Sequence, residues 1–305
     1  MNIEICGTNM IVVRRELRPT EHSTGMLVPM ATPPTPTASD TAQHTPTTWL
    51  LPAVGVSASA FLLFGLQLAG WGHGLLVLSL LSAFLISREL GKDLSLIGLG
   101  IAIVSTTSVK ANVDWDRFFT IGTVLILAVT MPLLMDRLVL RRRAISFPWL
   151  SGERWNRWQW GYIIAVPVLG WLILPYYFIT SGAYENWPAI TDGGALARFF
   201  VGVNFVGTWD ELFFICTCFA LLRRHFGLWT ANLLQAVIFV SFLWELGYQA
   251  WGPLLTIPFA LLQGWLFSRT GSLLYVLIVH LLFDVLVFLA IVHAHNPGVI
   301  PIFLV

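Results

Sequence analysis

The chain has 305 residues, of which 56% are hydrophobic and only 11% are charged. Soluble globular domains carry about 25% charged residues, so the composition excludes one and describes a polytopic membrane protein. A net charge of +1, without a basic patch interleaved with aromatics, excludes a nucleic-acid partner.

Residues 1–48 stand apart. The stretch "MATPPTPTASDTAQHTPTTW" is rich in Pro, Thr and Ala and lacks hydrophobic periodicity, which predicts a disordered N-terminal tail. It also lacks the apolar core of a secretory signal. From Trp49 onward apolar runs alternate with short polar loops. The runs lie near 49–70, 73–90, 95–109, 119–139, 160–181, 197–222, 229–251, 253–268 and 271–294. Judged against the ~20 residues needed to cross a bilayer, they predict an all-α, polytopic transmembrane helix bundle of about 8–9 spans. The third and eighth runs are short, which suits tilted, re-entrant or buried helices.

Residues 49–159 form an N-terminal group of transmembrane helices ending in an interfacial segment. Within it, "FPWLSGERWNRWQW" suits a short helix lying on the cytoplasmic interface, or an aromatic belt anchoring the fifth span. Residues 160–295 form a second transmembrane domain, and 296–305 a C-terminal tail. Basic residues follow the second, fourth, sixth and eighth runs, and Arg14, Arg15 and Arg18 precede the first. By the positive-inside rule the N-terminus is expected in the cytoplasm.

Cys216 and Cys218 sit two apart on a helix and point about 200° away from each other, so they read as packing residues rather than a metal or redox pair.

Past Asp192 the chain holds four acidic residues, Asp210, Glu211, Glu245 and Asp284, and all four fall inside spans. An ionised carboxylate in hydrocarbon costs roughly 2.5–3.5 kcal/mol even on lenient scales, so such residues should face a bundle interior or a water-filled cavity. At 1.5 Å per residue from the cytoplasmic helix ends, Asp210 lies ~18 Å deep, His280 ~13 Å, Asp284 ~19 Å and Glu245 ~24 Å. His280 and Asp284 are spaced i, i+4 and share one helix face. Converging on one pocket, these groups make an acid/base set fit for activating water. Held apart, they would be interhelical hydrogen-bonding groups. Glu211, Glu245, His280 and Asp284 also include ligand types for a divalent metal, although no HExxH helix is present and no cofactor is required.

With these residues in hand, the segment 160–295 resembles the CAAX prenyl protease and bacteriocin-processing family of intramembrane endopeptidases. "RTGSLLYVLIVHLLFD" looks like the family's His-x-x-x-Asn/Asp motif with its Arg-Thr-Gly-Ser lead-in. "DELFFI" resembles the Glu-Glu-x-x-x-Arg motif, with Asp210 at the first Glu and Ile215 at the Arg. "LLRRHFGLWTANLLQAVIF" resembles the turn leading to Phe-x-x-x-His, where Leu243 stands at the His. The resemblance implies cleavage of a membrane-associated peptide, prenylated or leader-type, in a bacterial inner membrane, with lipid and peptide as partners. It implies Asp210 or Glu211 as general base, Glu245 as a partner, and His280 with Asp284 stabilising the tetrahedral oxygen. No Ser or Cys is placed as a covalent nucleophile. Two rivals remain: a catalytically silent relative serving binding or immunity, and a proton-coupled transporter. The second lacks paired Gly/Pro-broken helices in symmetry-related halves.

Overall fold

Among the described residues, nine helices in chain order build the membrane core. The computed structural model describes residues 47–152, 154–298 and 302–304. The tail expected over 1–48 lies, up to residue 46, outside the described residues. The helices are α1 (Thr47–Gly65), α2 (Ala69–Ile86), α3 (Arg88–Val104), α4 (Trp115–Val139), α5 (Arg157–Ser181), α6 (Gly193–Arg223), α7 (Leu228–Leu246), α8 (Pro253–Thr270) and α9 (Leu273–His295). A 3-10 turn, Ala183–Asn186, joins α5 to α6. No strand occurs among the described residues.

Seven of the nine are long and apolar enough to cross a membrane. The two that fall short are α3 and α8, the same runs whose length marked them in the sequence. Helix α3 is a buried helix: its face from Leu90 through Ile97 to Ile101 is fully covered by neighbours. The chain is thus an all-helical integral membrane protein. Lipid-facing helices show the complementary pattern, with Leu78, Leu85 and Ile164 exposed on α2 and α5.

Helix ends follow capping chemistry. Gln159 N donates to Asn156 Oδ1 and Asn156 N donates back to Gln159 Oε1, a capping box that starts α5. Ala195 N donates to Asp192 Oδ2 at the start of α6. Helix α7 ends at Gly247, whose φ of +139° is a conformation that only glycine adopts readily. Of the two readings of 147–160, a separate interfacial helix is not seen among the described residues. Residues 141–156 are irregular where described, and α5 begins only at Arg157. This segment instead feeds carbonyls to α9: Leu273 N donates to Pro148 O, and Leu274 N to Trp149 O. Those bonds satisfy amides that would otherwise be orphaned at a helix start. The aromatic side chains still anchor, with Trp155 packed 5.4 Å from the ring of Tyr275.

Helices α7 and α8 approach closely at Gly264, where a Cβ would run into Asn232 Oδ1. Asn232 Nδ2 donates to Leu261 O and Gln235 Nε2 to Ala260 O, so buried amides bind the pair together. Opposite, α9 packs against α5 and α6. This brackets α6, α8 and α9 around one interior space.

Between the basic helix ends lies an ion network. The buried carboxylates of Asp93 and Asp136 both face Arg142, whose Nη2 donates to Asp93 Oδ1 at 2.7 Å and Nε to Asp136 Oδ1 at 3.2 Å. His225 Nε2 lies 2.7 Å from Asp93 Oδ2, and Ala144 N and Ile145 N donate to Asp136 Oδ2. Arg142 Nη1 also reaches Glu89 at 3.0 Å. Hydrogen-bonding to Lys92 and then to Arg142 holds that exposed carboxylate below the usual range.

Candidate active site

The acids of α6 sit where the helix changes pitch. From Glu211 to Phe219 the backbone bonds run i→i+5, a π-helical stretch within an otherwise regular helix. Such widened turns are rare and concentrate at functional sites. Thr217 Oγ1 donates to Leu212 O, five residues back, across the wide turn. An aromatic stack pins the stretch from outside: Trp209 lies on Phe213 at 5.0 Å, and Phe214 lies on Phe239 of α7 at 4.3 Å.

Four of the five sequence-derived candidates converge. His280 on α9 places Nδ1 2.7 Å from Glu211 Oε1. Its other nitrogen, Nε2, is 3.7 Å from Asp210 Oδ2 and 3.8 Å from Asp284 Oδ1. All four residues are at most 4% exposed, so an acid–imidazole cluster lies inside the protein at mid-helix depth.

The two nitrogens of His280 meet different surroundings. Glu211 is fully buried and also accepts from Gln263 Nε2 at 2.6 Å, while Gln263 Nε2 reaches Val276 O on α9 at 3.3 Å. Glu211 is therefore an anchor that fixes the ring. Nε2 faces Asp210 and Asp284, and these three residues line a cavity of about 370 Å³. At 3.7 and 3.8 Å the gaps are too long for direct hydrogen bonds and suit one intervening water. Asp210 Oδ1 and Asp284 Oδ2 have no protein partner, so acceptor capacity remains there.

The cavity walls are apolar, with Phe118, Phe199, Leu243, Phe259 and Phe283 among them. Phe259 meets the His280 ring edge-on at 4.9 Å. Gly207, one turn before Asp210, lets α6 and α9 close on each other; a Cβ there would collide with Asp284 Oδ2 and lie 3.2 Å from His280 Cδ2. Gly207→Ala is expected to destabilise the fold by about 1–3 kcal/mol, the usual range for overpacking, and to disorder the Asp284 side chain. Thermal denaturation in detergent measures the first effect.

Glu245 is not brought to the cluster. Its Oε1 accepts from Val109 N at 3.3 Å, in the loop between α3 and α4. The reason is the early helix stop at Gly247: Glu245 occupies the last turn of α7, near its end, rather than a mid-bilayer position. Leu243, where the resembled motif has its His, lines the cavity as an apolar residue. Ile215, at the motif's Arg, is fully buried. Cys216 and Cys218 are buried and free, in keeping with a packing role. Among the described residues, no group of three or more His, Cys, Asp or Glu side chains is arranged to hold a metal ion.

Sequence reasoning missed Gln263. Its signal was an amide in the apolar run "LLTIPFALLQGWLF", and a neutral amide is far less conspicuous there than a charge.

The helices and cluster together define a polytopic membrane protein with an acid–imidazole site sunk into its core. Residues 192–286, which carry the cluster, match the family model of the Rce1-like type II CAAX prenyl endopeptidases. The match agrees with the resemblance carried by the motifs around Asp210, Glu211, His280 and Asp284, and it covers under a third of the chain. Neither the curated proteins nor the solved structures yielded a match.

Proposed function

We propose that the chain is an intramembrane endopeptidase that hydrolyses a membrane-associated peptide, prenylated or leader-type, by activating water. It acts in a bacterial inner membrane with its N-terminus in the cytoplasm. The observation that carries this reading is His280 Nε2 standing 3.7 and 3.8 Å from Asp210 and Asp284 at the edge of a cavity that all three line.

The chemistry follows from who holds whom. The hydrogen-bond network assigns Nδ1–H to Glu211, an inference from geometry rather than a located proton. Asp210 takes a proton from the bridging water, and the oxygen adds to the scissile carbonyl carbon. With both ring nitrogens protonated, Nε2–H donates to the oxygen that gathers charge. Asp284 borders the same space, 3.8 Å from that donor, while Glu211 on the other ring nitrogen fixes the ring's orientation. The tetrahedral species collapses, the C–N bond breaks, and Asp210 returns its proton to the leaving amine. Hydrolysis needs no further reactant, and no covalent enzyme intermediate forms.

The test uses vesicles containing the full chain and a library of membrane-anchored peptides in ¹⁸O-labelled water. Mass spectrometry should find one heavy oxygen in each new C-terminal carboxyl group, and none with His280→Ala. Peptide capture without any cleaved product would identify a silent relative, consistent with Leu243 at the motif's His position. Uptake driven by a pH gradient without cleavage would identify a transporter.

A further inference from the structure

A second hollow, of about 210 Å³, lies where the connection from α4 to α5 meets the end of α8. Residues between 151 and 159 supply one part of its lining, and Arg269 with Thr270 the other. It shares no lining residue with the acid–imidazole cavity. Six of its eight lining residues are polar, whereas the walls of the larger cavity are mainly apolar.

Most of these polar groups are already engaged. Asn156 and Gln159 hold each other in the capping box of α5, and Thr270 Oγ1 donates to Leu266 O. The two guanidinium groups differ. Neither Arg154 nor Arg269 has a hydrogen bond or an ion pair among the described residues, and no described carboxylate lines the hollow. Arg137, Arg142, Arg223 and Arg224, at neighbouring helix ends, all reach protein oxygens instead. Ring packing holds the surroundings firm. Arg269 lies over the Trp265 ring at 5.6 Å, Trp158 flanks that ring at 6.0 Å, and Trp155 packs on Trp160 at 5.1 Å.

The hollow also has a defined level. Helix α5 is long and apolar enough to cross a membrane and begins at Arg157, so its first turn marks a boundary between lipid and water. Trp149, Leu150, Trp158 and Trp160 stay exposed around that turn. Exposed indole rings at such a boundary sit at the level of the lipid headgroups.

We propose that this hollow binds the phosphate of an anionic phospholipid headgroup, gripped by Arg154 and Arg269. The site stands independently of the hydrolase reading. Each guanidinium offers a planar fork of donors that matches phosphate oxygens, and two forks without a protein acceptor leave a net positive hollow. Basic pockets between helices at the membrane boundary take such headgroups. The volume is several times the ~30 Å³ share of one water, enough for a tetrahedral phosphate and its ester oxygens. The exposed Trp and Leu side chains beside it favour a lipid over free phosphate, because they can meet the glycerol and chain region of the same molecule. A headgroup held there ties the start of α5 to the end of α8.

The test titrates the full chain, delipidated in a neutral detergent, with phosphatidylglycerol and reads bound lipid by native mass spectrometry. Arg154→Gln with Arg269→Gln should weaken the tightest-bound phosphatidylglycerol by about tenfold or more, and each single variant by part of that. The singles keep the test intact should the double variant fold poorly. Arg141→Gln with Arg143→Gln removes the same charge from exposed positions outside the hollow and should leave the affinity unchanged. Equal losses in the two double variants would reduce the effect to surface charge and overturn the site, as would no loss in the first. At equal concentration, inorganic phosphate should leave the phosphatidylglycerol bound. Its displacement would make free phosphate the occupant and overturn the lipid.

Discussion

Asp210→Asn should cut peptide turnover by roughly 10²–10⁴-fold, the range typical for loss of a general base, while leaving the fold intact or slightly more stable. The side chain keeps its shape and its oxygen toward His280. Only the ability to take a proton from water is lost. Asp210 Oδ1 has no protein partner, so the replacement breaks no hydrogen bond on that side. Removing an ionisable group from a membrane interior also relieves a cost, which sets the sign of the stability change. Activity and stability thus move in opposite directions, as at sites that give up stability for function. Glu211→Gln should behave differently. Glu211 Oε1 is shared by His280 and Gln263; an amide can keep that oxygen for both but removes the charge and buries an NH2 donor at the Oε2 position, where no acceptor is in place. Turnover and melting temperature should then fall together. Turnover assays paired with thermal denaturation in detergent separate the two cases; an Asp210→Asn protein that still cleaves would remove Asp210 from the mechanism.

The largest stability effect is expected far from the cavity. Arg142→Ala should cost roughly 3–5 kcal/mol, because it leaves the buried carboxylate of Asp136 without its cation, while Asp93 keeps only Arg224 and His225. Asp93 and Asp136 are each at most 1% exposed and both lean on this guanidinium. Arg142→Lys should recover only part of the loss, since a single ammonium cannot reproduce a planar fork that reaches Asp93, Asp136 and Glu89 at once. The triple variant Arg142→Met, Asp93→Asn, Asp136→Asn should be less damaged than Arg142→Ala alone, because it removes the charges together. Denaturant unfolding in mild detergent gives all three values.

What the sequence revealed follows from cost. Asp210, Glu211, His280 and Asp284 were legible because charge inside an apolar run is expensive and needs a reason. The nine helices of the described residues were legible because the apolar runs have the length of spans; α3 falls short by length, whereas α8, as long as α2, falls short in apolarity. The depth read for Glu245, ~24 Å from the start of its helix, holds, but it lies beyond the ~13–19 Å of the other acids, near the helix end at Gly247, so grouping it with them was the error. The contact of Glu245 with Val109 joins residues 136 positions apart, which no local pattern encodes. The same holds for Asp93, Asp136 and Arg142, which look like ordinary loop and helix-end charges until the tertiary fold buries them. The 147–160 segment had the composition of an interfacial helix, yet its carbonyls were needed at the start of α9.

The widened turns of α6 have a consequence for how this helix can change over time. An α-helix turns about 100° per residue, and a π-helical stretch turns by less, so Glu211–Phe219 puts the two halves of α6 out of angular phase. The upper half aims Gly207 and Asp210 at the cavity, and the lower half delivers Arg224 to Asp93. One rod thereby meets two unrelated aiming requirements, with the mismatch absorbed between them. Drift in the Arg224–Asp93 anchor can be taken up by this slack without turning the carboxylates away from their target.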